Sequence, residues 1–176
     1  PLAVLLAACS VGGVHAQCGT VTVPENRAVP SGPQISLNVV VLPATKRSVR
    51  RADGVFYIAG GPGGVDTELV PSYAQLYAAV NVHRDLVFVD QRGVGGSNPL
   101  SCRVATQGLS VEELVAACLG VTNGDVTHYR TPDAMDDLDA VRQALGYARI
   151  DVWGGSYGAT AVQVYVRWHT ETVRTA

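Results

Sequence analysis

Apolar and polar positions alternate in the first third of the chain and run together afterwards. Ile35, Leu37, Val39 and Val41 alternate with Ser36, Asn38 and Val40, and Cys18 to Val23 precedes them across the turn-rich stretch Pro24 to Pro33. This period of two predicts two half-buried antiparallel strands. Then the pattern changes. Val55-Phe56-Tyr57-Ile58-Ala59, Leu86-Val87-Phe88-Val89 and the shorter Ile150-Asp151-Val152-Trp153 are apolar runs of the kind that suits strands covered on both faces. Helical spacing separates them: Leu69, Tyr73, Leu76, Tyr77 and Val80 within Thr67 to Val80, and Met135, Leu138, Val141 and Leu145 ahead of Gly146. Ser110-Val111-Glu112-Glu113 is a capping box. Thr131-Pro132-Asp133 reads as a cap followed by proline at the first helical position, and Tyr157 to about His169 as a last helix. Strands and helices in alternation predict an α/β chain, its sheet mainly parallel and wound by right-handed crossovers. There is no internal repeat or low-complexity segment.

The 176 residues are 47% hydrophobic, enough for one domain with its own core. A net charge of −2 leaves no electrostatic footprint for nucleic acid, and the short basic cluster Lys46 to Arg51 reads as a solvated turn. Leu2 to Ala8 is apolar and Val14-His15-Ala16 supplies small residues, so residues 1–16 read as a partial signal peptide and 17–176 as the N-terminal part of a domain. Leu6-Ala7-Ala8-Cys9 also resembles a lipobox, which makes Cys9 a possible lipid anchor. Either fate implies export: secreted, periplasmic or in the cell envelope. Disulfides persist there. Cys102 and Cys118 bracket a loop and a helix and are expected to pair. Cys18 is left without a partner in this reading, free or bonded beyond Ala176. No cysteine spacing suggests zinc.

All three apolar runs end in glycine-rich loops: Gly60-Gly61-Pro62-Gly63-Gly64, then Asp90-Gln91-Arg92-Gly93-Val94-Gly95-Gly96-Ser97, then Gly154-Gly155-Ser156-Tyr157-Gly158. In parallel sheets, sites form beyond these carboxyl ends. The third loop is a G-x-S-x-G pattern between strand and helix, the setting of a nucleophile elbow. Ser156 is the expected nucleophile. An acyl-transfer site also needs two donors for the oxyanion. The Tyr157 amide is one. The first loop should supply the other, and since Pro62 has no N–H, Gly61 is the choice, with Gly60 and Gly63 as fallbacks. The loop lacks the Lys-Ser/Thr ending of a P-loop and the G-x-G-x-x-G spacing of a dinucleotide site.

Together GGPGG, DQRGVGGS and GGSYG resemble the α/β-hydrolase fold, and within it the serine aminopeptidases related to proline iminopeptidase and the secreted tripeptidyl aminopeptidases. The likeness extends to CGTVTVP, to the Cys102–Cys118 spacing and to YRTPDAMDDLDAVRQALG. Proline iminopeptidases carry His before the glycine loop and Trp after the serine, where Ala59 and Tyr157 stand here; this draws the resemblance toward the tripeptidyl branch. It implies Ser156 as nucleophile, Tyr157 and Gly61 as backbone donors, and Asp90 with Arg92 as a structural ion pair. Asp136, Asp137 and Asp139 are expected to suit the dipole of their helix.

In this fold the order is serine, acid, histidine. After Ser156 only Glu171 and His169 follow. His169 stands thirteen residues along the same helix, about 20 Å away at 1.5 Å per residue. His15, His83 and His128 fall elsewhere. The chain is therefore expected to stop after the elbow helix, with its catalytic acid and histidine beyond Ala176 and little activity on its own. The expected parent is an exported serine aminopeptidase acting on peptides, or another small acyl substrate, with no cofactor or metal. An esterase or lipase of the same fold and a non-catalytic binding protein are the alternatives.

Overall fold

The computed structural model describes residues 4–105 and 107–176. Seven strands form one sheet in the order β1-β2-β3-β5-β4-β6-β7: β1 Ala7–Val11, β2 Val14–Pro24, β3 Gln34–Leu42, β4 Gly54–Ile58, β5 Leu86–Val89, β6 Ile150–Gly154 and β7 Val173–Thr175. Pairing is antiparallel from β1 through β3 to β5, and parallel from β5 through β4 and β6 to β7. The alternating segments form the antiparallel pair β2 and β3, and the apolar runs form the parallel β4, β5 and β6, of which β5 also pairs antiparallel with β3. Phe56, Val87 and Ile150 are fully buried, as a strand covered on both faces requires.

Among the described residues there are five α-helices: α1 Val70–Leu76, α2 Ala78–Asn81, α3 Val111–Val121, α4 Thr131–Ala144 and α5 Tyr157–Trp168. The single helix expected over Thr67 to Val80 is broken into a 3-10 turn, Asp66–Leu69, and two short helices. Pro71 sits in the first turn of α1, the one place where its missing N–H costs nothing. The Ser110–Glu113 box caps α3 as expected. For α4 the cap lies one residue earlier, at Arg130, whose amide is taken by Asp133. Met135, Leu138 and Val141 of α4 and Ala161 and Tyr165 of α5 fill one core with Phe56, Ile58 and Val152. Tyr57, Phe88 and Val70 belong to a second core on the opposite face.

The start of the chain corrects the cysteine assignments. Ala7–Val11 and Val14–Pro24 are paired strands joined at Gly12 and Gly13, both at positive φ, as a two-residue hairpin turn demands. Cys9 pairs with Cys18 across this hairpin, and Cys102 with Cys118. Cys18 therefore has a partner within the chain. A sulfur bonded to Cys18 cannot also carry a thioether lipid, so the lipid anchor at Cys9 gives way to a cross-link. No helix is long and apolar enough to cross a membrane among the described residues.

Candidate active site

The three glycine loops meet at one edge of the sheet because β4, β5 and β6 are parallel neighbours. The loop after β6 is the tightest. Ser156 has φ 56° and ψ −125°, outside the left-handed helical well that asparagine tolerates and in a region costing on the order of 1–3 kcal/mol for a residue with a side chain. What holds it there is backbone packing on both sides. A Cβ on Gly158 would fall inside the Ile58 carbonyl oxygen, and one on Gly154 would stand 2.5 Å from the Gly158 carbonyl. The first turn of α5 is thus pressed against the ends of β4 and β6 with no room for any side chain. Gly155 meets nothing within 4 Å; of the two adjacent glycines only Gly154 is sterically required.

Ser156 itself is exposed. Its hydroxyl does not cap α5. The first glycine loop lies across from it: a Cβ placed on Gly60 would be 3.2 Å from the Ser156 Cβ and 3.7 Å from its Oγ. That loop is closed by the Gly64 amide donating to the Gly60 carbonyl at 3.0 Å, and Gly61 has φ 121°, which only glycine adopts freely. Among the described residues, neither the Tyr157 nor the Gly61 amide donates to a protein acceptor. Two unengaged N–H groups therefore flank an exposed hydroxyl at the N-terminus of a twelve-residue helix, where the macrodipole favours negative charge. The Tyr157 side chain turns away, its hydroxyl 2.9 Å from Thr131 Oγ1 at the start of α4.

A cavity of about 180 Å³ opens beside this corner, lined by Pro62, Gly63, Leu100, Tyr129, Arg130 and Tyr157 among others. A larger apolar cavity of about 530 Å³ lies along β6 and α5, between Trp153, Val162 and Val166. The smaller is lined by residues of all three glycine loops, the larger by Gly154 of the third.

The second loop departs from expectation. Asp90 and Arg92 do not pair. The Asp90 carboxylate accepts from the Thr67 amide (2.9 Å) and hydroxyl (3.0 Å), Asn38 Nδ2 (2.9 Å) and the Gly96 amide (2.9 Å). Arg92 donates to both oxygens of Asp137 at 2.7 Å and to the Glu25 and His128 carbonyls. Positions two apart share a face only while the chain stays extended; a turn begins at Arg92, and each side chain finds its own buried partners. Both remain braces, in different networks. Asp136, Asp137 and Asp139 of α4 likewise have side-chain partners of their own. Asp137 also meets Arg27, Asp136 meets His169 at 3.0 Å, and Asp139 meets Arg142. Ser97, whose hydroxyl accepts the Asn38 amide at 2.8 Å, and the buried Asp66 were not singled out in the sequence. Ser97 ends the second glycine loop and Asp66 stands two residues after Gly64 of the first; that proximity was the available signal.

No histidine is hydrogen-bonded to Ser156 among the described residues. His169 caps the far end of α5 and His128 faces Asp125 at 3.7 Å.

With the geometry in hand, comparison with known proteins is specific. Residues 55–176 match the family described as alpha/beta hydrolase fold. A tripeptidyl aminopeptidase from Streptomyces coelicolor is 32% identical over 90% of this chain, which spans only 34% of that protein. Carboxylesterase B from Mycobacterium tuberculosis is 40% identical over half of this chain and 17% of its own length. Proline iminopeptidase from Mycobacterium smegmatis superposes with a TM-score of 0.57 at 21% identity, covering 88% of this chain and 41% of that one.

Proposed function

This chain belongs to the alpha/beta hydrolase fold family, and we propose that it is the nucleophile-bearing part of an exported serine hydrolase that releases residues from the amino ends of peptides. The observation that carries this is the strained, exposed Ser156 facing the Gly60–Gly61 backbone. Ser156 Oγ attacks the scissile carbonyl carbon and passes its proton to a base. The carbonyl oxygen, now negative, accepts from the Tyr157 and Gly61 amides. Collapse expels the amine leaving group, which takes that proton, and water then hydrolyses the acyl-serine by the same route in reverse order. We assign the base and its orienting acid to polypeptide outside these 176 residues. His169 is held at the opposite end of α5, and the chain spans about a third of the length of the curated relatives it matches.

The peptide reading rests on similarity to the tripeptidyl aminopeptidase over nearly the whole chain. The ester reading is favoured by the half-chain similarity to a carboxylesterase, because peptide and ester cleavage share every group described above. Two disulfides suit an oxidising compartment, which supports export.

The test uses the polypeptide carried through its acid and base. A fluorophosphonate should add one phosphonyl group to Ser156 and none to S156A. Peptide anilides with a free α-amino group should be cleaved with kcat/KM well above that of their N-acetylated forms. Labelling elsewhere would overturn the nucleophile. Turnover of acyl esters alone would replace the peptidase with the esterase.

A further inference from the structure

One buried acid at the site has no part in the steps above. Asp66 follows the first glycine loop, begins the 3-10 turn Asp66–Leu69 and is 0% exposed. Its Oδ1 accepts the Ala59 amide hydrogen at 2.8 Å, and its Oδ2 is buried with no partner among the described residues. Ala59 is the last residue before the loop. On its other side, the carbonyls of Ile58 and Ala59 lie against Gly158, the latter 3.1 Å from where a Cβ would stand. The end of β4 is therefore gripped from two directions, by the first turn of α5 and by one carboxyl oxygen. The next residue, Gly60, stands across from Ser156 Oγ.

We propose that Asp66 is a positioning residue for acyl transfer: by holding the Ala59 amide it sets the Gly60–Gly61 peptide opposite Ser156, so that the Gly61 N–H faces the space the oxyanion fills. The proposal rests on the serine-hydrolase reading and deepens it. An acid suits this place only in its neutral form, since a carboxylate beside the site would oppose the charge growing on the substrate oxygen. Burial raises the Asp66 pKa well above the usual carboxylate range; the Ala59 amide works against that rise and the charge of Asp90 adds to it. The titratable groups facing it are Asp90, after β5, and Tyr57, on β4. Neither is a cation.

Asp66→Asn keeps an acceptor for the Ala59 amide, and Asp66→Ala removes it. Both variants are compared with wild type, at a temperature where all are folded, by amide hydrogen exchange at Ala59 to Gly64 and by the rate of phosphonylation of Ser156. D66A should lose protection in the loop and react about 10²-fold more slowly, the scale for losing one oxyanion donor, with KM for a peptide anilide little changed. D66N should keep the protection and most of the rate. Equal exchange in D66A and wild type, an unchanged rate in D66A, or a D66N rate as low as that expected of D66A would overturn the proposal. If wild type is not labelled at Ser156, the serine-hydrolase reading falls. Exchange in D66A still decides whether Asp66 grips the loop, but its role in acyl transfer is then overturned.

Discussion

Two regions that follow parallel strands in the chain are built in opposite ways. Around Ser156, backbone meets backbone: Gly158 and Gly154 leave no space for a methyl group, and Arg92 is buried among Asp137 and two carbonyls. Some forty residues earlier, α3 contributes no buried residue. Val111, Val115 and Leu119 lie at successive turns with 73%, 51% and 54% of their surface exposed. What fixes α3 is its capping box and the Cys102–Cys118 cross-link. The elbow is placed by steric necessity and a buried ion network, the excursion by a covalent tether. A catalytic atom must be held within a fraction of an ångström, and only the first kind of construction does that.

The largest expected effect tests the buried network. Arg92→Met leaves Asp137 with Arg27 alone and strips a donor from the Glu25 and His128 carbonyls, so urea denaturation should show a loss of about 3–5 kcal/mol. A loss near zero would remove the contrast. Gly158→Ala comes next. Its methyl group would have to displace main chain of β4, which yields less readily than a side chain, so the cost should reach at least the upper end of the overpacking range, about 3 kcal/mol. The same variant should abolish phosphonylation of Ser156.

Asp66, after β4, gives a smaller, pH-dependent effect. Its pKa is raised by burial in the folded chain, so the unfolded chain releases this proton first as pH rises. Wild type should therefore be fully stabilised at acid pH. It should lose stability above the ordinary carboxylate range, at a slope of up to about 1.4 kcal/mol per pH unit, until the folded group ionises too. D66N lacks this term, so its stability advantage over wild type should widen with pH in thermal melts. A gap that narrows would contradict a raised pKa. The smallest global effect belongs to the tether. If α3 unfolded together with the core, removing its cross-link would cost about 3 kcal/mol on the chain-entropy scale. Because α3 buries nothing, Cys102→Ser with Cys118→Ser should instead speed amide exchange in α3 and leave the main transition within about 1 kcal/mol.

The same contrast explains what the sequence discloses. β5, the Ser110–Glu113 box and the G-x-S-x-G corner are local patterns, and the structure contains them where the residues place them. Arg92 and Asp137 are 45 residues apart; nothing in one sequence marks that pairing, and the nearer Asp90 offered a false one. The β1–β2 hairpin was hidden because a short apolar run ending in small residues serves a leader and a strand equally well. The Gly12-Gly13 pair between Val11 and Val14 is the local signal of its turn. Asp66 was invisible for a related reason. Its meaning lies in the amide it holds and the partner it lacks, and both appear only when the end of β4 folds back over it.

The most direct test is a crystal structure of the polypeptide with its acid and base, covalently phosphonylated. The account predicts phosphorus bonded to Ser156 Oγ and one phosphonyl oxygen about 2.7–3.1 Å from both the Tyr157 and Gly61 nitrogens. A phosphonyl oxygen turned to solvent, or held by Gly63 in place of Gly61, would contradict it.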